Sequence, residues 1–551
     1  MTEIKKTCEH CKKEFLVSEG ELSMYEKTGT ELPRLCFLCR VSLHFSIWQF
    51  ARFRKTVSDL SGETLITQVS LNKRYPLCSF KEWHSDMWDG MDHGREYDSS
   101  RPFFEQIKEL QEKIPRPHQQ ARNNTNCDWC DDTWSSKECY LSRSVLECEE
   151  LHYAYRVVRS KNSIDLTFCF DMDSCFECIY CFNSYDLHYS HNSRDCMNSY
   201  FLFDCRNCSN CFMCSNLRGK SHCIENVQYT KEEYLEKLKS FGLTSHEKIQ
   251  EFKKKFADII RNNAVHRENF NLRTTNSEGE YLADVNNCHN CFQIQTSEHC
   301  YDCLRGLNNK MNIDANGAVY SELIGNSSCC LSAYGLKYCS WSQSRYSEYL
   351  DICSECEYCF GCVGLKKKKY CILNKQYSKE EYEVLKEKII ADMKQRGEYG
   401  QFFPYELSPI PYNFSVSYLY FPEKTKEDIE KLGGYWEDTA DATDEGIPTD
   451  GLPDDIRDVS ESISKQALVC PKSGWRFNVA QKELQFYKQK GIPLPREHFD
   501  VRARERIKYF TVLTPFDAEC CFCKKKLAVY YRPEWGYKKI ACESCYQKEV
   551  I

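Results

Sequence analysis

The chain has 551 residues, 28% of them charged, with a net charge of −7, which disfavours a globally basic nucleic-acid binder but not a local basic face. No run of about 18 apolar residues occurs, and the start, MTEIKKTCEHC, has no apolar segment, which argues against a membrane span or secretory signal and for a cytoplasmic protein. The 37 cysteines, an odd total, suit zinc ligands and small buried groups in a reducing compartment better than a secreted disulfide framework.

Cys8-x2-Cys11 and Cys36-x2-Cys39 open the chain. Two such knuckles supply four thiolates, the closed tetrahedral set of a structural zinc, so residues 1–57 read as a treble-clef zinc module. Between Leu32 and Ser58 there are five basic residues (Arg34, Arg40, Arg52, Arg54, Lys55) and no acidic one. Arg40, Arg52, Arg54 and Lys55 are therefore candidate phosphate contacts, against the blander reading of a solvated helix face. Residues 58–90 read as a degenerate, metal-free ribbon. In the following stretch, Trp83-His-Ser-Asp-Met-Trp-Asp89, two tryptophans anchoring a turn beside capping aspartates are favoured over a cluster of His84, Asp86, Asp89 and Asp92. A helical connector fills 91–126. Its helix starts near Arg101, capped by Ser99 or Ser100, and carries Phe103, Ile107, Leu110 and Ile114 on one face.

The centre of the chain is duplicated. Cys205–Tyr234 and Cys353–Tyr382, 148 residues apart, match at sixteen of thirty positions without a gap, five cysteines among them. Twenty-six cysteines fall between Cys127 and Cys371, in short pieces rich in Tyr, Phe, Cys and Asn. These pieces predict a parallel β-helix in two halves, 127–229 and 271–377, with small side chains stacked inside. Capping boxes at Thr230/Glu233 and Ser378/Glu381 start helices that close each half, within 230–270 and 378–436; a second helix starts at Thr244/Glu247. The runs Cys205/Cys208/Cys211/Cys214 and Cys353/Cys356/Cys359/Cys362 lack the last spacing and the proline of a ferredoxin motif. They read foremost as a ladder of reduced, buried cysteines, with extra zinc sites across the coils the alternative.

Glu437–Glu461 holds ten acidic residues and one arginine, so 437–465 reads as an acidic linker or docking strip. Beyond it the chain repeats its own beginning, 462 residues on. The four ligand positions become Cys470, Ser473, His498 and Val501, a degenerate treble clef over 466–510. Cys520-x2-Cys523 and Cys542-x2-Cys545 then form a complete zinc ribbon over 511–551. Ser58 and Ser61 stand where the ribbon has Cys520 and Cys523. Lys524, Lys525, Lys526, Arg532, Lys538 and Lys539 give this ribbon the chain's best claim to touch nucleic acid.

LPRLCFLCR, WHSDMWD, REYDSSRPFFEQ, CRNCSNCF, QYSKEEY, ELQFYKQKGIPLP and ACESCY together resemble a family of cysteine-rich zinc-ribbon and treble-clef repeat proteins of ultra-small bacteria. The resemblance implies zinc modules bracketing a cysteine-rich repeat region and carries over no catalytic residue. The expected protein is a mainly β, multidomain scaffold with about two structural Zn2+. Its terminal modules would meet RNA, DNA, a ribonucleoprotein or a protein partner, and no membrane or small-molecule substrate is evident. One alternative is a β-helix enzyme, carbohydrate-active by fold analogy, using Asp165, Asp171 and Asp173 or Asp284, Asp302 and Asp314; another is redox or metal storage in the cysteine ladders.

Overall fold

The computed structural model describes residues 3–438 and 446–551. The chain forms two compact units that interleave its segments. One joins residues 1–118 to 269–437, and the other joins 119–268 to 438–551.

The core of each unit is a parallel ladder with a 12-residue step. In the second unit Tyr185 pairs with Met197, Met197 with Ser209, and Ser209 with Ser221, before a hairpin at Ile224 and Val227 ends the series. In the first unit Tyr301 pairs with Ile313, and Ile313 with Gly325, through to Phe360 with Ile372. Two steps there are a residue short: Leu272 pairs with Ala283, and Tyr334 with Arg345.

Each 12-residue step consists of four triplets, and the residue preceding nearly every inward-facing position has left-handed backbone, as at Ser174, Glu177, Tyr180, Asn183 and Asp186, with φ of 48–60°. Outside glycine this conformation is tolerated best by Asn and Asp, which explains the asparagines between cysteines. The triplet sends every third side chain inward. Cys175, Cys178, Cys181, Ser184, Leu187, Ser190, Ser193, Cys196, Ser199 and Leu202 are all buried. Inward side chains that carry oxygen or sulfur accept inward backbone N–H groups of the next step. The Leu202 N–H donates to Ser190 Oγ at 2.9 Å, Cys211 N–H to Ser199 Oγ at 3.0 Å, and Leu187 N–H to Cys175 Sγ at 3.5 Å, each acceptor lying one step back. The inward side chains in turn donate to carbonyls: Ser199 Oγ to Met197 at 2.8 Å, and Cys178 Sγ to Leu187 at 3.3 Å. A purely aliphatic interior would strand those N–H groups. None of the 37 cysteines is joined in a disulfide.

The capping boxes form as the spacing predicts at Thr230 and Ser378. The anchor of the first helix, Lys231–Ser240, is the buried Tyr234, while Leu235 is 40% exposed. The next helix, His246–Asn262, is capped by Ser245 rather than Thr244, and it buries Ile249, Phe256 and Ile260. The connector helix, Phe103–Gln111, is not capped by Ser99 or Ser100. The Glu398 carboxylate accepts from the N–H groups of Phe103 and Phe104, both at 3.1 Å. Part of the expected acidic linker, 439–445, lies outside the described residues. From Gly446 on it is a packed strap and not a solvated one. Ile456, Val459 and Ile463 are buried, and Asp454 accepts from Ser245 Oγ and Glu247 N–H at the start of helix His246–Asn262.

In each unit a terminal module lies across a ladder through buried charge. In the first, helix Phe37–Phe45 brings Arg40 Nε to Asp314 Oδ1 at 2.6 Å and Arg40 Nη2 to Asp302, while Tyr25 donates to Asp314 at 2.5 Å. In the second, helix Phe499–Ile507 brings Arg502 Nε and Arg506 Nη2 to Asp165 at 2.8 and 2.7 Å, and Tyr487 and Tyr153 share Glu483. Arg502 stands 462 positions after Arg40, and Tyr487 the same distance after Tyr25. Arg40 and Arg502 thus dock the two copies from the same position, whereas Tyr25 reaches the ladder carboxylate Asp314 and Tyr487 the Glu483 of its own helix.

Candidate metal centres and basic surface

Each complete cysteine set is built by one knuckle on a tight turn and one at a helix start. In the N-terminal set, Cys8 ends strand Ile4–Thr7, its carbonyl accepts from Lys12 N–H at 3.0 Å, and Lys12 takes left-handed backbone at φ 61°. Cys36 is the N-cap of helix Phe37–Phe45, and Cys39 sits in its first turn. The C-terminal set repeats this. Cys520 follows strand Phe516–Glu519, Lys524 is left-handed at φ 64°, and Cys542 caps helix Glu543–Glu549. Helix N-termini direct free N–H groups and a partial positive charge at the thiolates.

Within each set the four Sγ atoms lie within 4.8 Å of one another. Cys11 and Cys36 are 3.7 Å apart at sulfur, as are Cys523 and Cys542. Four sulfurs held about 2.3 Å from a tetrahedral ion are about 3.8 Å from each other, so the donor set and its size fit. Burial raises the Cys520 thiol, but the N–H groups of Cys523, Cys542 and Phe522 outweigh it and hold the group at about 6. These are the only groups of three or more metal-capable side chains among the described residues. The cysteine runs at 205–214 and 353–362 form no such group and serve the ladder interior.

The segment read as a metal-free ribbon closes its turn with hydrogen bonds. Its hairpin, Arg54–Val57 with Thr64–Thr67, sits 462 residues before Phe516–Glu519 with Lys526–Val529. At the ligand positions stand Ser58 and Ser61 and, with the register shifted by one residue, Ser79 and Glu82, Ser79 capping a helix as Cys542 does. The buried Glu82 carboxylate accepts from Ser58 Oγ and Ser79 N–H, both at 2.7 Å. Burial pushes this carboxyl up, but hydrogen bonds from Ser61, Ser79 and Ser58 hold it at about 2. Ser79 and Glu82 are missed by a search for cysteine; the capping-box spacing is the trace they leave. In the other degenerate copy, Cys470 and His498 are buried, Ser473 and Val501 complete nothing, and His498 accepts from Asp500 N–H at 3.1 Å.

The nominated phosphate contacts divide sharply. Arg40 is corrected outright: at 4% exposure, tied to Asp302 and Asp314, it faces no solvent. Arg52 is half-buried and engaged within the protein. Arg54 lies 3.5 Å from Glu437 and over the Phe414 ring, which leaves Lys55 alone fully exposed in that segment. At the other end Lys524, Lys525, Lys526, Lys538 and Lys539 are all exposed, with Phe522 beside them at 43% exposure. Arg532 is partly exposed, 3.8 Å from Glu534.

The carboxylates named for an enzymatic alternative are otherwise employed. Asp165, Asp302 and Asp314 are buried in the docking pairs, while Asp171, Asp173 and Asp284 pair on the surface with Arg159, Lys161 and Arg273. Asp89 caps a short helical turn through Met91 N–H at 2.9 Å, and Trp83 and Trp88 pack 4.6 Å apart with Lys366 over both rings, the anchored-turn reading of that stretch. No helix among the described residues is long and apolar enough to cross a membrane. No protein-family model matches the chain, and no curated protein shows significant similarity to it.

Proposed function

We propose that this protein is a zinc-stabilised interaction scaffold whose C-terminal ribbon engages the phosphate backbone of a nucleic acid. The two ladders are the coils of a parallel β-solenoid that serves as a rigid support, and each four-cysteine set holds one structural zinc with no open coordination position. The observation that carries the reading is five exposed lysines on one small module that is itself pinned by a four-cysteine set. In a chain of net charge −7 such a patch is a local exception. Lysines present point charges to phosphate, and Phe522 offers an adjacent ring.

Fluorescence anisotropy with single-stranded RNA and duplex DNA over a salt series tests this. Affinity should fall with salt. Reversing Lys524, Lys525 and Lys526 to glutamate should weaken binding sharply and remove about two units from the log–log salt slope on a single strand. Absence of binding to either nucleic acid at low salt, or binding indifferent to the triple variant, would overturn the nucleic-acid reading and leave the scaffold with a protein partner.

A further inference from the structure

The unit formed by 119–268 and 438–551 contains a cavity of about 700 Å3, within the size range of small-molecule sites. Five separated stretches supply its walls: the ladder, the helix His246–Asn262, Pro471 with Lys472, the segment 493–509 and the ribbon's 534–537 turn. No stretch of sequence announces such a site, because no single segment holds more than part of it.

One wall is aromatic. His191 and Tyr509 have ring centroids 5.5 Å apart, Tyr509 and Trp535 5.6 Å, and Trp535 and Tyr537 5.8 Å. Successive planes are tilted by 52–57°, so these four rings do not stack face to face along the arc. All four line the cavity and are only half-buried.

The other feature is cationic. Arg502 donates through Nε to Asp165 and through Nη1 to the Glu497 carbonyl and lies over the Tyr153 ring at 5.2 Å, while its Nη2 has no hydrogen-bond partner although the side chain is only 10% exposed. Arg496 donates to the carbonyls of Thr449, Leu452 and Pro453 and forms no ion pair among the described residues. Burial, reinforced by Lys253 and Arg506, pushes the His191 imidazole down to about 4, so it is neutral at pH 7 and presents one donor and one acceptor. A buried donor left over on a guanidinium and a second guanidinium without a carboxylate are the equipment of an anion site.

We propose that this cavity binds a nucleoside phosphate, with the base on the Tyr509–Trp535–Tyr537 wall and the phosphate on Arg496 and Arg502. The ligand is either a free nucleotide or the phosphorylated end of a single strand, which share this chemistry. The site does not depend on the lysine surface of the ribbon, and the two fail separately.

Equilibrium dialysis of the full chain against AMP, GMP, adenosine and inorganic phosphate is the test. AMP or GMP should bind saturably, with adenosine and phosphate at least about tenfold weaker, since each keeps only part of the contacts. Trp535→Ala and Arg496→Gln should each weaken AMP about tenfold, the effect of one stacked base or one charged hydrogen bond. Because Arg496 also holds three carbonyls, Tyr509→Ala, which touches no such network, serves as a second ring variant, with thermal melts verifying each fold. The Lys524/525/526 reversal should leave AMP affinity unchanged. Competition by a 5′-phosphorylated hexanucleotide, but not its unphosphorylated form, supports the strand-end source; competition by neither supports the free nucleotide. No saturable binding of either nucleotide, or binding unaltered in Trp535→Ala and Tyr509→Ala, overturns the proposal.

Discussion

Replacing Asp165 with alanine isolates the interaction that seats the C-terminal module on its ladder. Asp165 is fully buried and accepts from Arg502 and Arg506, neither more than 10% exposed at the side chain. Losing one partner of a buried pair costs about 3–5 kcal/mol, mostly because the other charge is stranded. Here two guanidinium groups are stranded, though Arg506 keeps Thr167 Oγ1 and Arg502 keeps the Glu497 carbonyl. A loss of about 4 kcal/mol is expected, set against a matched control on the same ladder. Asp171 pairs with Arg159 at 2.7 Å, but both are more than a third exposed, so Asp171→Ala should cost at most about 1 kcal/mol. Urea unfolding reads the difference, and hydrogen exchange over helix 499–507 locates it. The sign with pH follows from the carboxyl. Burial would raise it, but Arg502 and Arg506 hold it below its ordinary value. Its contribution is therefore complete above the unfolded value of about 3.9 and is lost as pH falls through the folded one, so wild type and variant should converge in acid. Equal losses for Asp165→Ala and Asp171→Ala, or under about 1 kcal/mol for the former, would refute the docking argument.

Three further outcomes follow from the same geometry. Ser190→Ala strands the buried Leu202 N–H and should cost about 1–3 kcal/mol in urea unfolding, while Ser190→Cys keeps an acceptor and should cost less. Converting Ser58, Ser61, Ser79 and Glu82 together to cysteine should create a third zinc site, read as one additional zinc per chain by metal analysis. Alkylation at pH 7.5 should spare Cys148 and Cys330, whose thiols burial pushes up to about 11 and about 12, and should reach Cys11 and Cys523 only after a chelator is added.

Local features were the legible ones. The Cys-x2-Cys pairs located both four-cysteine sets, because four ligands within a few residues of two turns leave few other arrangements. Thr230/Glu233 and Ser378/Glu381 marked helix starts, since that chemistry is complete within one turn. The triplet was also in plain view, as Cys-x2-Cys-x2-Cys-x2-Cys. It reads as a ladder of buried cysteines, but its 12-residue period does not show, because Ser190 or Leu202 fills a position as well as Cys178 does. What sequence could not supply was long-range pairing. Arg40 reads as a free cation in a basic segment until Asp302 and Asp314, more than 260 positions away, are placed against it. Glu398 over Phe103 and the walls of the cavity in 119–268 with 438–551 belong to the same class.

The division of thiolates between metal and ladder is tested most directly by metal analysis of the full chain purified without oxygen. Two zinc per chain, falling to one in Cys523→Ser and unchanged in Cys208→Ser, is the predicted result. Iron with a visible chromophore, several further metal ions per chain, or a zinc lost with Cys208 would contradict the account.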